Sequence, residues 1–206
     1  MSYKTEQESF WAGEFGNEYI ARNQGDASIA SNTALFSKIL KSTNSISTII
    51  EFGANIGLNL KAIKRLLPEI ELSAIEINEK AVAQLREEIK NINVYHSSIL
   101  DFQPDKKRDL VLIKGVLIHT NPDELQNVYE LLYETSNKYI CIAEYYNPSP
   151  VEVKYRGHEG KLFKRDFAGE IMDLFPDLKL IDYGFVYHRD NNFPQDDTTW
   201  FLLEKR

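Results

Sequence analysis

From about residue 46 onward, apolar positions recur in two alternating rhythms. Thr48-Ile49-Ile50-Glu51-Phe52 is a β-branched run closed by glycine, and Leu58, Ala62 and Leu66 then follow at helical spacing before Pro68. A strand, a turn and a helix are predicted. Glu71–Glu76 reads as a second strand, and Asn78 caps a helix that presents Val82, Leu85 and Ile89 on one face. Ile92–His96 gives a third strand. Asp109–Ile113 gives a fourth, apolar enough to be buried on both faces of a parallel sheet. Asn121-Pro122-Asp123-Glu124 opens a helix with a cap, an early proline and acids at its positive end. Tyr139–Ala143 is strand five. Residues 145–165 carry no clean period, and Phe167–Phe175 reads as helix up to Pro176. Leu178–Tyr187 and Thr198–Glu204 form two strands joined by the polar stretch Arg189–Asp197, an antiparallel hairpin. The alternation predicts an α/β class fold, a doubly wound, mostly parallel seven-stranded sheet with a terminal antiparallel hairpin.

Residues 1–45 lie outside this alternation and read as an N-terminal helical cap beside or over the sheet, with 46–206 as the main domain. Phe10, Trp11, Phe15 and Tyr19 in the cap suit either an ordinary docking face or a lid over a ligand. A chain of 206 residues that is 43% hydrophobic supports one domain with a substantial core. Its net charge of −7 argues against a protein that grips nucleic-acid backbone. Cys141 is the only cysteine, so neither an internal disulfide nor a cysteine zinc cage is expected, and a reducing, cytoplasmic setting is. Met1–Phe10 has no signal-peptide character, and no apolar run approaches a membrane span. The four histidines, at 96, 119, 158 and 188, lack close ligand spacing, so no metal is expected.

The informative stretch is Glu51-Phe52-Gly53-Ala54-Asn55-Ile56-Gly57, where strand one runs through a tight turn into a helix. Gly53 permits a backbone angle that other residues resist, Asn55 tolerates the left-handed region, and Gly57 allows close approach of chain and ligand. Glu76 ends strand two and is placed to accept both hydroxyls of a ribose. Nicotinamide enzymes want a second glycine where this chain has Asn55, and Glu51 would repel their pyrophosphate. Glu51 instead suits a ligand with a cationic amine, such as the methionine end of S-adenosylmethionine.

Glu51 to Gly57 resembles the E-x-G-x-G-x-G motif of class I S-adenosylmethionine-dependent methyltransferases, with Asn55 at the central glycine. The resemblance implies a Rossmann-like methyltransferase fold over 46–206, ribose binding by Glu76 with Ile77 beside it, and adenine contacts from Ser98 and Ile99. It also implies a sulfonium and acceptor pocket lined from Lys114 to His119. A narrower resemblance rests on Phe10 to Ile20, Arg22-Asn23, Gly53 to Leu60 and Glu76-Ile77-Asn78, which are similar to the pseudaminic acid biosynthesis-associated methylases. It implies a small sugar or sugar-nucleotide acceptor.

Methyl transfer from a sulfonium is an in-line displacement that the protein mainly aligns, with a base optional. His119 is the first candidate for that base, the alternative being a packed residue at the start of the next helix. Glu144, ending strand five, either binds the acceptor or holds a loop. Tyr145, Tyr146, Tyr155, Arg156 and His158 are candidate acceptor contacts in a locally basic stretch suited to an anionic ligand. Tyr19 and Arg22 are candidates to close over the cofactor, Arg22 pairing with its carboxylate. Competing readings are a methyltransferase acting on protein or another small molecule, a nicotinamide oxidoreductase, and a cofactor-binding module without turnover. Oligomeric state is not legible.

Overall fold

The computed structural model describes residues 3–23 and 25–206. Three helices open the chain: α1 (Glu6–Ala12), α2 (Glu14–Arg22) and α3 (Asp26–Leu40). The alternating part follows as β1 (Thr48–Phe52), α4 (Leu58–Leu66), β2 (Glu71–Glu76), α5 (Glu79–Glu88), β3 (Asn93–His96), β4 (Arg108–Lys114), α6 (Leu125–Thr135) and β5 (Ser136–Glu144). A short arm carries β6 (Val151–Glu152) and β7 (Phe163–Lys164) before α7 (Phe167–Leu174), and β8 (Leu178–Val186) and β9 (Thr198–Lys205) end the chain. Seven strands form one sheet in the order β3-β2-β1-β4-β5-β9-β8. The first five are parallel, and β9 enters antiparallel beside β5 with β8 outside it. This is the predicted α/β sheet.

The parallel strands are apolar because both faces are covered. Ile49, Leu110, Leu112, Cys141 and Leu202 face a layer built by Ile29, Leu35, Phe36 and Ile39 of α3, Leu60 and Ile63 of α4, and Leu85 of α5. Ile50, Phe52, Val111, Ile113 and Ile140 face Val128, Tyr129 and Leu132 of α6 and Phe167 and Ile171 of α7. Each such side chain removed from water contributes about 1.5–3 kcal/mol, which makes the two layers the main source of stability. Helix α3 is thus part of the sandwich, although it falls within the first 45 residues. Only α1 and α2 stand apart from these layers.

Differences from the sequence reading lie where periodicity has little to work on. Strand β5 begins at Ser136, earlier than the apolar run, and a 3₁₀ turn over Pro122–Glu124 precedes α6. The two-residue strands of the arm are too short to leave an alternation.

The turn after β1 holds Gly53 at φ 73°, Asn55 at 48° and Gly57 at 76°. A Cβ on Gly57 would lie 2.8 Å from Ile89 Cδ1, so this glycine admits α5 and the segment after it rather than a ligand. That corrects the expected ligand contact at Gly57. Gly57→Ala is expected to lose about 1–2 kcal/mol from the left-handed backbone alone, with the Ile89 clash added. Urea unfolding would measure it, and an unchanged midpoint would refute the packing assignment.

Candidate active site

Strand order reverses between β1 and β4, and the ends of these two strands open into a cleft of about 550 Å³, within the usual range of roughly 300–1,000 Å³ for ligand pockets. The turn that floors it is held from below. Gly53 and Ala54 N–H both donate to the Ile75 carbonyl (2.9 and 3.1 Å), while Asn55 N–H donates to Glu76 Oε2 (2.7 Å) and Asn78 N–H to Glu76 Oε1 (2.7 Å). A carboxylate offers about four acceptor sites, so Glu76 retains lone pairs toward the cleft it lines. Burial raises its pKa and the backbone donors pull it back.

Glu51 is buried beneath the turn and does not line the cleft. Its Oε1 accepts from Asn59 Nδ2 (2.6 Å), and neither Glu51 Oε2 nor Asn59 Oδ1 has a partner among the described residues. Burial pushes Glu51 up to about 8, against the Asn59 bond and the Lys114 charge. Two adjacent orphaned acceptors match a cationic amine, which carries donors only. Lys114, at the end of β4, lines the cleft without an ion-pair partner among the described residues, and burial lowers its pKa.

The adenine-side candidates Ser98 and Ile99 line the cleft, and Ser98 Oγ donates to Glu8 of α1. Lys4 reaches the same wall, bonding the Leu100 carbonyl (2.9 Å) and pairing with Asp101 (2.7 Å). Helices α1 and α2 cross the cleft because Asn78 caps α5 with its Oδ1 and holds the Trp11 carbonyl (3.2 Å) and Asn17 Oδ1 (3.1 Å) with its Nδ2. Thr5, Glu8, Trp11 and Tyr19 consequently line it.

His119 lies in a 3₁₀ turn after β4, and its ring packs against Trp11 (4.7 Å) and Tyr155 (4.8 Å). Nδ1 is 2.5 Å from the Lys161 carbonyl, and no described protein group bonds Nε2. Burial lowers its pKa to about 4, so the ring is neutral at physiological pH. Tyr145, Tyr155 and Arg156 join it along the cleft, with Ile77 near Glu76.

Besides Gly57, five expected site residues lie outside the cleft lining. Arg22 pairs with Glu18 (3.2 Å) and sits over Phe15, outside the cleft, because the last turn of α2 points it along its own helix. Glu144 Oε1 accepts from Val116 and Leu117 N–H (both 2.9 Å), holding the turn after β4, which is the loop-holding alternative. Tyr146 is exposed beside Phe201, and His158 packs on Phe10 and Phe15. Glu51 acts from below the floor. Conversely, the cleft gains Trp11, Asn32, Asn59 and Asp196. Asp196 stands near enough to Tyr145 to push its hydroxyl pKa upward, after burial. Only Trp11 had a signal in sequence, the aromatic cluster of the cap.

Residues 49–137 match the family model described as a methyltransferase domain. The fold is similar to magnesium protoporphyrin IX methyltransferase from Synechocystis PCC 6803 with bound S-adenosylhomocysteine, at TM-score 0.69 and 10% identity, covering 98% of this chain and 100% of that one. It is also similar to the plantazolicin methyltransferase BpumL (TM-score 0.65, 16% identity, 97% and 94% covered). A third likeness is to the N-methyltransferase NodS from Bradyrhizobium japonicum WM9 (TM-score 0.64, 14% identity, 84% and 93% covered). At such identities the likeness establishes the Rossmann-like methyltransferase fold. No curated protein matches the sequence. The methyltransferase-domain match over 49–137 and the Rossmann-like methyltransferase fold favour S-adenosylmethionine over the nicotinamide reading. The three structures are named for different chemistries, so the fold does not choose an acceptor. Among the described residues no helix is long and apolar enough to cross a membrane.

Glu51, held protonated in the fold but ionised in the unfolded chain, stabilises the protein most below pH 4.5 and progressively less as pH rises toward 8. Between pH 5 and 8, the Tm of the ligand-free wild type is therefore expected to fall relative to Glu51→Gln. Parallel Tm profiles would show that Glu51 is ionised in the fold.

Proposed function

We propose that this methyltransferase acts on a hydroxyl of a small, anionic, sugar-derived acceptor, a sugar or sugar nucleotide of the nonulosonic acid class. The observation that carries the reading is His119, a neutral imidazole whose Nε2 is unpartnered at the edge of the cleft. A hydroxyl needs to lose its proton as it is methylated, and a base already neutral at pH 7 takes it without prior titration. Lys114 and Arg156 support an anionic acceptor, and the hydroxyls of Tyr19, Tyr145 and Tyr155 suit a polyhydroxylated one.

Bound S-adenosylmethionine supplies a methyl group whose bond to sulfur breaks as the acceptor oxygen bonds the carbon, leaving a neutral thioether. The chain does the rest. Glu76 accepts the ribose hydroxyls, Ser98 and Ile99 border the adenine, and Glu51 with Asn59 receives the ammonium. His119 Nε2 takes the acceptor proton, while Trp11 and Tyr155 flank the ring and exclude water from it.

Glu76→Gln is expected to weaken S-adenosylmethionine binding about tenfold, and Glu76→Ala about 100-fold, by loss of charge-assisted hydrogen bonds. Titration calorimetry reads both, and wild-type affinity in Glu76→Ala would overturn the ribose assignment. The acceptor is tested by S-adenosylhomocysteine release with a panel of sugar acids, sugar nucleotides, neutral sugars and amines. Turnover is expected with the anionic sugars, falling about 10²–10⁴-fold in His119→Gln at unchanged cofactor affinity. Turnover confined to amines or peptides would refute the acceptor class, and none with any acceptor would favour a binding module.

A further inference from the structure

The base assigned above is not complete within its own segment. His119 Nδ1 meets the main-chain carbonyl of Lys161 at 2.5 Å. A carbonyl only accepts, so Nδ1 carries the proton and Nε2 keeps the lone pair. Without that bond either nitrogen is free to hold the proton, and the form protonated on Nε2 cannot act as base.

Lys161 belongs to the arm between β5 and α7, and the arm is fastened to α1. Lys161 Nζ pairs with Glu6 (3.1 Å) and lies 5.6 Å from the centre of the Phe10 ring. Gln7 Nε2 donates to the Gly160 carbonyl (2.9 Å), and the His158 ring packs against Phe10 (5.0 Å). Helix α1 in turn packs Trp11 against the His119 ring. The lid and the arm therefore meet over the histidine, one supplying its packing and the other its hydrogen-bond acceptor.

We propose that Lys161 is a positioning residue: its side chain clamps the arm to α1, and its carbonyl thereby selects the His119 tautomer whose Nε2 accepts the acceptor's proton. The inference rests on the reading of His119 as base. It explains how two candidate acceptor contacts, Tyr155 and Arg156, line the cleft from an arm that is also fastened to α1. The clamp is mainly apolar. The Lys161 side chain is 11% exposed, whereas that of Glu6 is 88% exposed and its charge is screened. Of the titratable and charged groups, Tyr155 packs on the His119 ring, Lys161 holds it through its carbonyl and pairs with Glu6, Glu144 holds the turn that carries it, and Glu8 and Lys114 line the same cleft.

The test is ¹⁵N NMR of the His119 side chain in the full-length protein, with S-adenosylhomocysteine as probe, together with kcat pH profiles. Wild type is expected to show one tautomer, protonated on Nδ1. Phe10→Ala and Lys161→Ala should show mixed tautomers and a His119 titration moved from about 4 toward the ordinary value near 6.5. Their kcat should fall about tenfold, as for loss of a partner that orients a functional histidine, with S-adenosylhomocysteine affinity within about twofold of wild type. Lys161→Arg should restore the single tautomer, and Glu6→Gln should cost less than Phe10→Ala. Lys161→Met, which keeps the aliphatic stem, serves if Lys161→Ala does not fold. An unchanged tautomer in Phe10→Ala and Lys161→Ala beside an inactive His119→Gln would overturn this inference alone, whereas a wild-type ring protonated on Nε2 would overturn the base reading and this inference together. Full activity of His119→Gln would overturn the base reading and this inference with it.

Discussion

The site depends on a single carboxylate accepting main-chain hydrogen bonds. Glu76 closes β2, and its two oxygens take the amides of Asn55 and Asn78. One belongs to the turn that floors the cleft, and the other to the residue that caps α5. The turn needs that support, because Asn55 sits at φ 48°, a conformation that a side chain tolerates only when its surroundings hold it. The Asn55 side chain helps by accepting from Ile56 N–H (2.6 Å). Loss of the Glu76 carboxylate would thus loosen the floor as well as remove the proposed ribose contact.

The same residue pair extends upward. Asn78, just past the end of β2, reaches the carbonyls closing α1 and the side chain of Asn17 in α2, so both helices are tied to the strand that carries Glu76. Gly16 makes this approach sterically possible: a Cβ there would lie 1.9 Å from the Trp11 carbonyl and 2.9 Å from Asn78 Nδ2. Strand, floor and lid form one hydrogen-bonded unit.

Elements written in long apolar periods were legible in the sequence, and so was the turn after β1. Ile49, Leu60, Val82 and Val111 announce their faces because burial imposes a rhythm on every residue of the element. Glu76 was legible as a cleft residue because it ends a strand at a switch point, a position that exists in sequence order, whereas Glu51, read as a ligand contact, lies buried beneath the floor. What stayed hidden depends on distance in the chain. Asp196 stands in a polar stretch indistinguishable from a solvated loop until β8 and β9 carry it back over β5. The Lys161 carbonyl has no sequence signature at all. Arg22 misled for the opposite reason: charge and position suggested a ligand, but an i,i+4 partner in Glu18 was already available on its own helix.

The buried ionisable groups show how the fold is divided between stability and function. Glu51 and Lys114 lie beneath and beside the floor without pairing with each other, and Glu51 Oε2 and Glu144 Oε2 have no partner among the described residues. A core designed for stability alone would pair or remove them, since a buried polar atom without a hydrogen bond costs about 1–3 kcal/mol. Glu144 is partly compensated because its other oxygen holds two amides of the turn that carries His119. Glu51 has a single neutral donor, Asn59, and that is the arrangement in which an incoming cation gains most. On the reading proposed above, an ammonium beside Glu51 would favour the ionised carboxylate against the burial that raises its pKa. The arrangement at the floor is therefore weak as structure, and on that reading the same weakness is what would make it a receptor for positive charge.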